Sequence, residues 1–128
     1  MSTARLAEQY VLDYFRDKKR IDLFRVKRPE RGYDFRNADS TLFVEVKGAA
    51  AKETGKLLFR YFTNAQYEMA KQCILAKKQY EIHIIVGIGS DSCRHYVVPA
   101  RKLVERAKPE VSWYFPIRKD FGEFLLDI

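Results

Sequence analysis

A chain of 128 residues has room for one domain of ordinary size and none for a separate specificity module. Its 24 Lys+Arg against 17 Asp+Glu leave a net charge of +7, which favours polyanionic partners, nucleic acid ahead of acidic metabolites. With 47% apolar and 14% aromatic residues the chain holds enough core-forming material to exclude a disordered basic tail.

Residues 4–16 read as a helix, because Ala7, Tyr10, Val11, Tyr14 and Phe15 recur on one face. At ~100° per residue Glu8 falls beside Phe15 at the edge of that face, and Asp13 points the other way. Leu23–Lys27 alternates as a short strand, followed by a turn at Pro29–Gly32. Two strands are expected next, Tyr33–Arg36 and Leu42–Lys47, joined through the hairpin-favouring Asn37-Ala38-Asp39-Ser40. Alternation puts Leu42, Val44 and Val46 on one face of the second strand and Phe43, Glu45 and Lys47 on the other. Gly48 is expected to end it, and Ala49–Lys56 reads as an exposed basic loop.

Thr63-Asn64-Ala65-Gln66 matches a capping box opening a helix to about Lys78, with Gln66, Met69, Ala70, Cys73 and Ile74 on its inner side. The β-branched run Ile82, Ile84, Ile85, Val86 and Ile88 predicts a strand covered on both faces, at the centre of the sheet. His95–Val98 reads as a further strand, Pro99 as the first turn of a helix through Ala107, and Val111–Phe115 as an edge segment. The order α-β-β-β-α-β-β-α predicts an α/β domain, a mixed sheet flanked by helices, spanning residues 1–128.

Cys73 and Cys93 have no neighbours at zinc-ligand spacing, which indicates neither a zinc finger nor a disulfide scaffold and predicts a reducing compartment, cytoplasmic or nucleoid-associated. No apolar run approaches the ~20 residues of a membrane span, so neither secretion nor insertion is expected. His83 and His95 lie in apolar strands and read as structural. Gly87-Ile88-Gly89-Ser90 lacks the lysine and following helix of a phosphate loop and reads as a strand end. Trp113, Tyr114 and Phe115 either stack on bases or cover the core or a dimer surface.

The chemistry concentrates in Asp34 and, ten intervening residues later, Glu45-Val46-Lys47-Gly48. A hairpin brings an acid on its first strand beside one on its second, and the single spacer keeps Glu45 and Lys47 on one face. Two carboxylates and a lysine can hold a hard divalent cation and position a water at a phosphodiester.

These residues resemble the PD-(D/E)XK nuclease superfamily of restriction-endonuclease-like fold. Gly32-Tyr33-Asp34, Phe43-Val44-Glu45-Val46-Lys47-Gly48 and Phe62-Thr63-Asn64-Ala65-Gln66 with Ala70 look most like the branch named for the C-terminus of the plant protein No Vein, over roughly residues 5–98. Tyr33 stands where the superfamily name has proline. Gln66 stands where that branch usually carries glutamate, losing a charge but keeping an acceptor and a donor.

The resemblance implies a Mg²⁺- or Mn²⁺-dependent endonuclease acting on DNA, or RNA by the same chemistry, in restriction, defence or repair. Asp34, Glu45 and the Val46 carbonyl would hold the metal, and Lys47 would orient or deprotonate the attacking water. Glu8 either binds metal at the cleft edge or simply complements the helix macrodipole. Gln66 either serves the site or only closes its capping box. Lys52, Lys56, Arg60 and Asn64 are the expected phosphate contacts. One cleft does not cut two strands symmetrically, so a homodimer or a partner protein is expected. The rival expectations are a non-catalytic nucleic-acid-binding module and a protein-interaction domain.

Overall fold

The computed structural model describes residues 2–27, 32–51, 61–109, 113–116 and 121–126. Helix α1 (Thr3–Tyr14) starts where the Ser2 hydroxyl accepts the Arg5 amide, and it buries Ala7 and Val11 as the periodicity predicts. It does not stop near residue 16. A wider π-helical turn, Phe15–Lys19, carries it on and tucks Phe15 into the core, until Arg20 adopts a left-handed conformation.

Strands β1 (Phe24–Arg25), β2 (Phe35–Arg36) and β3 (Leu42–Ala49) form an antiparallel meander. The Asn37 side chain closes the β2–β3 turn by accepting the Thr41 and Leu42 amides. Helix α2 (Asn64–Leu75) then crosses to β5 (Gln79–Val86), which pairs parallel to β3, and β6 (Arg94–Pro99) returns antiparallel beside it. The sheet order is β1-β2-β3-β5-β6, the expected mixed sheet. Its middle strand is β3, not the apolar β5. A parallel pair needs a crossover, and α2 supplies it between these two strands, so both are paired on both sides.

Several boundaries move. Ala49 belongs to β3, α2 ends at Leu75, and Pro99 caps helix α3 (Ala100–Arg106) from outside. The C-terminal aromatics do not extend the main sheet: β7 (Trp113–Tyr114) pairs with β4 (Tyr61–Phe62) in a separate ribbon. Phe115 is buried with its ring against Phe62 and Phe124, the core-covering alternative.

Alternation gives the sheet two apolar faces. Val44, Leu42, Phe35 and Ile85 pack under α1, whereas Phe43, Ile82, Ile84 and Val98 pack with Ala70 and Cys73 of α2 and Leu103 of α3. The α1 face is very close: a Cβ on Gly48 would lie 2.5 Å from that of Ala7. The same face buries a polar line in which Glu81 Oε1 lies 2.9 Å from His83 Nε2, and His83 Nδ1 lies 2.7 Å from His95 Nε2. The edges of Tyr10 and Tyr14 surround His95. The structural expectation for both histidines holds.

Candidate functional site

The β2–β3 ladder ends in an exchange of partners. The Asp34 amide still bonds the Val44 carbonyl at 2.9 Å, but the Val46 amide donates to Asp34 Oδ2, also at 2.9 Å. A side-chain carboxylate thus takes the place of the next main-chain carbonyl and frees the chain before Asp34 to turn away toward α2. Because the N–H and C=O of a strand residue project to the same side, the Val46 carbonyl also faces the side where Asp34 sits.

Glu45 lies on the opposite side of the strand from Val44 and Val46 and points under α2. Its Oε2 accepts a hydrogen bond from Gln66 Nε2, while Gln66 Oε1 accepts the Thr63 amide at 3.0 Å. Gln66, 6% exposed, closes the expected capping box and with its other end holds the Glu45 carboxyl, a contact the sequence did not offer. Glu45 Oε1 is buried without a hydrogen-bond partner. Burial first, then the neighbouring Asp34, pushes the Glu45 carboxyl up to about 9, with Gln66 and Lys47 opposing. Lys47 shares this face, its ammonium 4.3 Å from the centre of the Phe62 ring. Burial lowers its pKa to about 8 against the pull of Glu45.

The structure thus brings together Asp34, Glu45, Lys47 and Gln66. Glu8 is ion-paired to Arg25 on β1, whose guanidinium lies over the Phe35 ring. Asn64 is exposed at the start of α2. Lys52, Lys56 and Arg60 lie outside the described residues. Sequence reasoning passed over Tyr80, whose buried hydroxyl donates to the Gly32 carbonyl at 2.6 Å, and whose phenol burial, then Glu45 and Asp34, raise well above the ordinary tyrosine range. A hydroxyl on the inner face of an otherwise β-branched strand is the available signal, since it must find a partner.

Among the described residues no three His, Cys, Asp or Glu side chains assemble as a metal cluster. The donor set is instead two carboxylates and a carbonyl, all hard oxygens, with one buried carboxylate oxygen lacking a partner. That set fits Mg²⁺, which uses one or two carboxylates and keeps several waters. Among the described residues no helix is long and apolar enough to cross a membrane.

No curated protein and no solved structure matches the chain. A family model described as "Protein NO VEIN, C-terminal" matches residues 7–98, from the second turn of α1 through β6, and so encloses every residue of the site. The chain belongs to that family.

Proposed function

We propose that this domain is a metal-dependent nuclease with a restriction-endonuclease-like core of the PD-(D/E)XK type, hydrolysing DNA phosphodiester bonds. The observation that carries the reading is the orphaned Glu45 Oε1, buried beside Asp34 and facing a half-buried lysine. Two acids so placed repel one another and lose hydration, and a bound divalent cation offsets both costs. Asp34, Glu45 and the Val46 carbonyl would hold Mg²⁺ or Mn²⁺, which supplies positive charge at the scissile phosphate and acidifies water.

The remaining chemistry belongs to the chain. Lys47, lowered to about 8, exchanges its proton near neutral pH, so it can orient the attacking water, accept its proton and offset charge on the phosphorane. Gln66 fixes the Glu45 carboxylate, leaving Oε1 to the cation. The net charge of +7 supports a nucleic-acid substrate, and a second copy or a partner protein would be needed for double-strand cutting. Plasmid nicking tests the reading: Mg²⁺- or Mn²⁺-dependent nicking abolished by Lys47→Ala supports it, and its absence over several substrate forms overturns it.

The presence of Gln66 where the related branch has glutamate favours a second reading, a nucleic-acid-binding or interaction module of a larger DNA-processing assembly. Steeply salt-dependent DNA binding, with a slope near −0.9 per phosphate neutralised and no cation binding by calorimetry, would select it.

A further inference from the structure

We propose that Tyr80 is a positioning residue which, by gripping the Gly32 carbonyl, holds Asp34 and the first turn of α2 in one fixed relation; its role in cation binding rests on the nuclease reading. Tyr80 enters from the start of β5, 1% exposed, and reaches across 48 residues of sequence to the carbonyl of Gly32. Gly32 has φ +89°, and a Cβ there would lie 2.6 Å from the Ala65 carbonyl oxygen and 3.1 Å from the Gln66 nitrogen. The glycine backbone is therefore seated directly on the turn that presents Gln66, a fit that no side chain permits.

Both limbs of the acid pair lead away from this point. Two residues beyond Gly32, Asp34 reaches Val46, and Tyr33 between them packs its ring 4.8 Å from Phe43. On the other side, Ala65 is followed by Gln66, which holds Glu45. A shift of the Gly32 peptide would thus move Asp34 and Gln66 relative to each other and spoil the spacing of the two carboxylates. Apolar packing alone would not fix it, because packing resists compression but not sliding, whereas a hydrogen bond fixes direction. Partners bonded directly to metal ligands typically change affinity 10- to 100-fold when lost, and Tyr80, acting through Gly32, stands further out, so a smaller loss is expected.

Tyr80→Phe keeps the ring and removes only the grip. Two readouts test it by NMR-detected hydrogen exchange and by Mn²⁺ calorimetry. The Val46 amide, whose acceptor is Asp34, should exchange at least ~10-fold faster relative to the Ile84 amide, a difference that loosening of the whole core would not produce. Mn²⁺ affinity should fall roughly 3- to 10-fold, less than for a direct partner of a ligand. In the unmodified protein the Tyr80 hydroxyl proton should exchange slowly enough to be observed, a reading that holds even if the variant folds poorly. Gly32→Ala should shift the Val46 amide in the same direction. Failure of the unmodified protein to bind Mn²⁺, with the Val46 amide still responding, sinks the nuclease reading and leaves the clamp standing. An unchanged Val46-to-Ile84 ratio, or an undetectable hydroxyl proton, overturns the clamp.

Discussion

Two buried polar clusters sit on opposite faces of one sheet, and each leaves one atom unsatisfied: Glu45 Oε1 under α2 and His95 Nδ1 under α1. They meet burial differently. With Glu81 as a carboxylate, His83 Nε2 donates to it, His83 Nδ1 accepts from His95 Nε2, and His95 Nδ1 keeps a bare lone pair. In this arrangement every ring nitrogen but that one has a partner, and burial, helped by His83, lowers His95 to about 3. In the acid cluster Gln66 and Lys47 offset the charge only in part, and the Glu45 carboxyl still rises to about 9. A further proton or a bound cation relieves the rest. A buried polar group is thus no sign of function by itself; what distinguishes the α2 cluster is that its deficit has a sign.

The comparison breaks most sharply at Glu45. Glu45→Gln should weaken Mn²⁺ binding ~100-fold or more while stabilising the cation-free protein by ~1–3 kcal/mol at alkaline pH. The raised carboxyl favours the fold fully below its ordinary pKa of 4.5, and that contribution is lost as pH rises through about 9. Denaturant midpoints at pH 5, 7 and 9 should therefore fall in the parent and flatten in the variant.

On the other face the slope reverses. A depressed His95 contributes stability above its ordinary 6.5 that is lost as pH falls toward about 3. His95→Phe should remove that acid limb. It should also lower stability at pH 7 by ~1–3 kcal/mol, because His83 Nδ1 loses its partner, with Mn²⁺ affinity unchanged within twofold. The smallest effect should come from Arg25→Ala. Breaking its pair with Glu8, in which Arg25 is 46% exposed, should cost ~0.5 kcal/mol by thermal melt and leave cation binding alone. A tenfold loss there would bring Glu8 into the site after all.

The acid pair was legible because hairpin geometry and strand alternation are local rules: Asp34, Glu45 and Lys47 need only a turn and a period of two. The Thr63–Gln66 cap was legible for the same reason. What stayed hidden depends on register between distant strands. Nothing in the sequence pairs His83 with His95, or lays Gly32 on Ala65. Glu8 lies at the edge of its face, but no local rule pairs it with Arg25, which comes from the strand expected at Leu23–Lys27. A length of two residues hid β4 and its ribbon with β7. The capping half of Gln66 was legible, but its bond to Glu45 was not, since an amide has two ends and only one answers to a local rule.

The 2.5 Å that a Gly48 Cβ would leave to Ala7 has a mechanical meaning. At that crossing, helix and strand share a fixed volume that can be traded between them but not enlarged. Residues 3–14 supply none of the four polar groups gathered under α2, yet they belong to its tolerance stack: the height of α1 sets the height of the strand that carries Glu45 and Lys47.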